Sequence, residues 1–101
     1  MPKWIIDEES ETSKEVLIAV QSDSTLARKW PAFVRDVTEN PFYHPKHRRI
    51  AKLRGNAYPP GTYRYRKDPL RVIYYPERET NTVYPLEAAS GKNISYKKRS
   101  T

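Results

Sequence analysis

Within a basic, tyrosine-rich run from Lys46 to Tyr75, the segment Tyr63-Arg64-Tyr65-Arg66 alternates phenol and guanidinium residue by residue. A period of two is that of a strand, and it sends the arginines to one face and the rings to the other. Leu70-Arg71-Val72-Ile73-Tyr74-Tyr75 extends the pattern beyond Asp68-Pro69, a dipeptide suited to a tight turn. The fold must therefore contain a sheet that is aromatic and buried on one side and cationic on the other. Tyr63, Tyr65, Tyr74 and Tyr84 are assigned to the core. A cationic surface backed by buried rings suits a polyanion, and we read it as an RNA-handling surface.

The charge distribution supports that reading. Residues 1–40 hold five Lys/Arg against eight Asp/Glu, and residues 41–101 hold fourteen against four, within a net charge of +7. A patch of one sign raises the local phosphate concentration and gains from counterion release. Solubility alone needs neither charge segregation nor interleaved aromatics.

A length of 101 residues fits one domain, residues 1–101, with one modest core. The absence of cysteine excludes disulfides and thiolate chemistry. The longest apolar stretch, Val16 to Val20, is too short to span a bilayer, and no leader with an apolar region is expected. The expected compartment is the cytoplasm, with no membrane partner.

Along the chain, Lys3 to Asp7 reads as a first strand. Ser10 or Thr12 caps a helix to about Val20, with Val16, Leu17 and Val20 on one stripe. Ser22-Asp23-Ser24 reads as a break and a new cap. Leu26, Trp30, Phe33, Val34 and Val37 then recur at helical spacing over residues 25–39. Pro31 either kinks this helix or begins it, and Asn40-Pro41 ends it. Residues 41–60 carry four prolines and read as loop, with at most one turn of helix after Pro45. Strands at about 61–67, 70–76 and 81–88 follow as a meander, with Pro76 and Pro85 at ends, edges or bulges. The class is α+β: an N-terminal strand and helices on one face of a largely antiparallel twisted sheet, with a short basic C-terminal segment from Asn93.

Taken in order, Asn40-Pro41-Phe42, Lys52-Leu53-Arg54-Gly55, Tyr63-Arg64-Tyr65-Arg66, Leu70-Arg71-Val72-Ile73-Tyr74 and a terminal basic segment closing on Tyr96 resemble the RelE/ParE superfamily of small bacterial toxins. The ordered set spans roughly residues 3–99 and is clearest after residue 40. The resemblance implies a RelE-like fold and the toxin half of a type II toxin–antitoxin pair. It implies an endoribonuclease that cuts messenger RNA in the ribosomal A site. A cognate antitoxin neutralises such a toxin, and operator DNA is reached only through that antitoxin. Arg64 and Arg66 correspond to the family's paired basic residues and Arg71 to the arginine at the scissile phosphate. Lys92 and Tyr96 correspond to the terminal basic residue and the stacking tyrosine. Many active relatives carry arginine near the position of Lys92.

These residues fit metal-free scission, in which the RNA 2′-hydroxyl attacks the adjacent phosphate and the protein orients the backbone and stabilises the added charge. Arginine matches phosphate oxygens bidentately but cannot act as a base. Lys52, Lys92 or Tyr96 are the candidates for moving protons, and Tyr96 also for stacking under a base. No cofactor is expected. Lys46, Arg48, Arg49, Lys52, Arg54, Lys97, Lys98 and Arg99 are assigned to binding messenger and ribosomal RNA. His44 and His47 offer a metal-ligand pair, a pair of catalytic bases, or part of the basic loop. The last is preferred, and no metal is expected.

Blander readings stand beside these. Arg64 and Arg66 would form an exposed polar strand face, and Arg71 would pair with Glu77, Glu79 or Glu87. The runner-up functions are a ParE-like gyrase-directed toxin and a non-catalytic basic RNA-binding module. An apolar groove beside the sheet is expected to take an amphipathic antitoxin segment.

Overall fold

The computed structural model describes residues 3–91. Lys92, Tyr96, Lys97, Lys98 and Arg99 lie outside the described residues, and so does the tail expected from Asn93.

The first strand, β1 (Ile5–Ile6), is followed by two helices, α1 (Glu11–Gln21) and α2 (Ser24–Glu39). Ser10 caps α1, its hydroxyl accepting from the Ser13 amide at 3.2 Å. Asp23 caps α2 and accepts from the Thr25 amide at 2.9 Å. Each cap satisfies an amide that the first helical turn leaves without a partner. Pro31 lies inside α2, so the helix does not begin there. An interior proline costs a hydrogen bond, and the neighbouring apolar stripe offsets it. Leu26, Phe33 and Val37 are all buried against the sheet.

The remaining strands are β2 (Ile50–Lys52), β3 (Tyr63–Lys67), β4 (Leu70–Glu77) and β5 (Thr82–Ser90). They form a five-stranded sheet in the order β1-β5-β4-β3-β2. The β1/β5 pair is parallel and the other pairs are antiparallel. The expected class therefore holds, and the meander lies where expected.

Two local expectations are corrected. No turn of helix follows Pro45, and the loop contains β2, whose Ile50 pairs with Tyr65 and packs against the core. Three residues among prolines and cations show too little alternation to reveal a strand. Tyr84 is only half-buried, because it pairs with Tyr75 on the face away from the helices.

Both awkward prolines sit where the sheet can absorb them. Between the pairs Ile73/Glu87 and Tyr74/Pro85, β5 carries one extra residue, Leu86, so Pro85 flanks a bulge. The pairing of β3 with β4 ends at Tyr63/Tyr74, so Pro76 lies beyond it.

The core lies between the helices and the sheet. Phe33 of α2 meets Tyr65 edge-on at 5.2 Å and Tyr74 at 5.6 Å, a favoured ring arrangement. Tyr65 and Tyr74 have no exposed surface, while Tyr63 is partly buried at the rim. Tyr74 donates to the Pro41 carbonyl at 2.7 Å, tying the loop after α2 to the sheet.

Candidate nucleic-acid interface

Alternation fixes which side chains share a face, and cross-strand pairing carries that assignment from strand to strand. Arg66 pairs with Arg71 and Arg71 with Ala89, which makes one rung across β3, β4 and β5. Arg64 pairs with Ile73 and Ile73 with Glu87, which makes the next. Arg64, Arg66 and Arg71 thus emerge on one side of the sheet, opposite the helices. Arg66 is exposed, and Arg64 and Arg71 are half-buried.

Two of these arginines are held. Arg64 donates from Nη1 to the Arg49 carbonyl at 3.2 Å, which draws it toward β2. Arg71 Nη1 lies 2.5 Å from Asp68 Oδ1, and its side chain is 17% exposed against 81% for that of Asp68. The carboxylate partner expected for Arg71 under the blander reading was Glu77, Glu79 or Glu87; the structure places Asp68 there instead. Asp68 and Arg71 flank the turn in sequence, whereas the other three are remote. The hydrogen bond and charge of Arg71 hold the Asp68 carboxyl below its ordinary range. The Arg71 guanidinium also packs over Gly91, where an added Cβ would come within 2.8 Å of Nη2.

The other assigned RNA-binding residues divide. Lys46, Arg48 and Arg54 are exposed. Lys52 pairs with Tyr63 and so belongs to the face on the helix side, away from the arginine rungs. There it lines a pocket with Phe42, Tyr63 and Arg78. The Arg49 guanidinium also turns inward, with Nη1 3.4 Å from Asp36 Oδ2. Its carbonyl serves β3 by accepting from the Arg66 amide at 2.9 Å.

Asp36, absent from the sequence-based assignments, is the centre of this inner network. It is 2% exposed and accepts from the Tyr65 phenol at 2.7 Å. Arg35 Nε lies 3.4 Å from Oδ1, His47 Nε2 3.3 Å from Oδ2 and His44 Nε2 3.9 Å from Oδ1. Burial opposes ionisation of Asp36, but the Tyr65 hydrogen bond and the charges of Arg35, His47 and His44 outweigh it, so its pKa falls below the ordinary value. The signal was present in the sequence. Asp36 falls on the apolar stripe marked by Phe33 and Val37, where an acid needs partners.

Asp36, His44 and His47 bring ligand-type atoms within 4.8 Å of one another. The histidine geometry suits neutral rings whose Nε2–H faces Asp36 better than metal binding. His44 Nδ1 accepts from the Lys46 amide at 3.1 Å and His47 Nδ1 from the Arg49 amide at 3.3 Å. An Nδ1 that accepts leaves the proton of the neutral ring on Nε2, the atom facing Asp36. The two rings are stacked, 3.8 Å apart and 15° from parallel, rather than converging on a point. His47 Nε2 is near the carboxylate without being aligned for a hydrogen bond. Burial, then Arg49 and His44, depress the His47 pKa against the pull of Asp36. Both rings thus sit beside α2, on the far side of the sheet from the arginine rungs.

Two helices against a mixed five-stranded sheet, with an arginine-bearing outer face, make the chain an α+β protein with the RelE fold. Its structure is similar to that in the crystal structure of the toxin–antitoxin complex RelBE2 from Mycobacterium tuberculosis, with a TM-score of 0.64 and 21% identity over 89% of this chain and 92% of that one. It is equally similar to the archaeal RelE–RelB complex from Pyrococcus horikoshii OT3, with a TM-score of 0.63 and 23% identity over 93% of this chain and all of that one. No family model matches the sequence, and no curated protein does so either.

Proposed function

We propose that this protein is the toxin component of a type II toxin–antitoxin pair, a ribosome-dependent endoribonuclease that cuts messenger RNA in the A site. The observation that carries the proposal is the placement of Arg64, Arg66 and Arg71 on one face of a RelE-type sheet. Guanidinium groups mounted on adjacent strands grip a phosphodiester and oppose the charge that builds on its oxygens as the 2′-hydroxyl attacks. Strands are stiff mounts, so little reorganisation is needed during the reaction. Exposed Lys46, Arg48 and Arg54 contribute the non-specific attraction to ribosomal RNA. Lys92 and Tyr96 keep their proposed roles as terminal cation and stacking ring, and Lys97, Lys98 and Arg99 as RNA contacts.

The proposed partner is a cognate antitoxin, in keeping with the toxin–antitoxin complexes in which the two similar folds were solved. Ile5 and Ile18 are 59% and 63% exposed and offer it apolar anchoring points on β1 and α1. A toxin that acts on ribosomes works in the cytoplasm, and no helix among the described residues is long and apolar enough to cross a membrane.

One observation favours the gyrase-directed reading. Arg71 is already engaged by Asp68 through Nη1, so a phosphate competes with that carboxylate for the guanidinium. Primer extension on translated messages separates the two. The nuclease reading expects discrete cuts from the parent and a loss of about a hundred- to a thousand-fold in Arg71→Ala. Intact messages together with relaxed plasmid and DNA-damage signalling favour the gyrase reading.

A further inference from the structure

Arginine cannot take the 2′-hydroxyl proton, and Lys52 stands on the other face of the sheet. The arginine face itself carries a carboxylate at the right place. Glu87 ends the rung Arg64–Ile73–Glu87, next to the rung Arg66–Arg71–Ala89. It is thus a diagonal neighbour of Arg71 on the adjacent strand, a separation of about 7–8 Å that long side chains bridge. Glu77 shares the face but lies six residues along β4 from Arg71, roughly 20 Å away. Glu87 is half-buried, and Tyr58 donates its phenol proton to Oε1. That bond holds the carboxylate in one orientation. Tyr58, in the loop between β2 and β3, holds it; Arg64 on β3 ends the same rung, and Arg71 on β4 lies diagonal to it with its guanidinium turned toward Asp68 and Gly91.

We propose that Glu87 is the general base of the cleavage reaction, an inference that rests on the nuclease reading above. With the phosphodiester held on the Arg66/Arg71 rung, the ribose on its 5′ side lies over the next rung, where Glu87 stands. Glu87 takes the 2′-hydroxyl proton as the O2′–P bond forms and the P–O5′ bond breaks. The leaving 5′-oxygen takes a proton from water and Glu87 returns its own to solvent. The products are a 2′,3′-cyclic phosphate and a 5′-hydroxyl, with no net change in protons.

Single-turnover cleavage of a ribosome-bound message, followed across pH for the full chain, tests this. Glu87→Gln keeps the side-chain volume and an acceptor for Tyr58. It is expected to lose about a hundredfold or more in rate, to keep its affinity for ribosomes and to lose the acidic limb of the pH profile. Tyr58→Phe removes the hydrogen bond that orients the carboxylate, so the rate should fall by about tenfold while the acidic limb and the affinity for ribosomes persist. Cleavage by Glu87→Gln at the parent rate, or an acidic limb that survives in that variant, overturns the inference and leaves the nuclease reading standing. A parent protein that cuts no message overturns both.

Discussion

The phenol of Tyr65, in the middle of β3, donates a 2.7 Å hydrogen bond to the carboxylate of Asp36 on α2. Both residues are buried, at 0% and 2% exposure. The strand that carries the candidate arginines is thus anchored to the helix layer by its inward-facing ring. Burial, then the bond to Asp36, raises the Tyr65 pKa well above its ordinary value, so the phenol remains a donor at any working pH. Tyr65→Phe leaves Asp36 buried with one donor fewer and is expected to cost about 1–3 kcal/mol. Urea unfolding measures it, and a midpoint equal to the parent's counts against an anchoring role.

The network around Asp36 also makes stability depend on pH. The folded-state pKa of His47 is below its unfolded value. The unfolded chain therefore binds the proton more readily, and the stabilisation from the neutral ring is present above about pH 6.5 and lost as pH falls below it. Structure supplies a second reason: a protonated ring cannot accept from the Arg49 amide. Asp36, also depressed, contributes stability above about pH 3.9 that is lost at lower pH. Urea midpoints should therefore fall in two stages on acidification, and His47→Gln should remove the first.

How much of this was legible follows from length and period. The β3 and β4 strands announced themselves, because Tyr63 to Arg66 alternates strictly and Leu70 to Tyr75 is a β-favouring run just beyond the turn. The α2 stripe was equally plain. Ile50–Lys52 was hidden, since three residues define no period and its partner Tyr63–Lys67 is remote in sequence. The role of Arg49 was hidden for a different reason. A cation in a basic loop reads as surface until the acid that draws it inward is known, and Asp36 lies thirteen residues earlier. The sequence already offered Glu87 as a partner for Arg71; what it hid is the bulge at Leu86, which sets Glu87 on the same outer face as Tyr84, a residue assigned to the core. With Tyr84 on the outer face and no extra residue, strict alternation would turn Glu87 toward the helices.

The Arg71–Asp68 pair sets a threshold for anion binding. Asp68 is exposed, and its carboxylate occupies a guanidinium donor that a phosphate would use. Asp68→Asn should therefore bind RNA more tightly and, under the nuclease reading, cut faster by a few-fold. The gain should be largest at low salt, where the charges are least screened. Filter binding of a short RNA across a salt series checks this. Affinity unchanged at every salt concentration means that Arg71 takes no part in the contact.

Gly91 offers a way to move Arg71 without removing it. A Cβ there would stand 2.8 Å from Nη2 and 2.9 Å from Cζ of Arg71, so the guanidinium must shift. The obstacle is the far end of a flexible side chain rather than backbone. The Gly91 amide can still donate to the Pro69 carbonyl at 2.9 Å. Gly91→Ala should therefore leave the unfolding midpoint within about 0.5 kcal/mol of the parent, as for a surface change. Under the nuclease reading, cleavage should fall by tenfold or more, because a misplacement on the order of 1 Å at a catalytic group is enough for that. Combining Gly91→Ala with Asp68→Asn frees the guanidinium to find a new position and should recover part of the lost rate. A Gly91→Ala protein that cuts like the parent would place the scissile phosphate away from Arg71, on Arg64 and Arg66 alone.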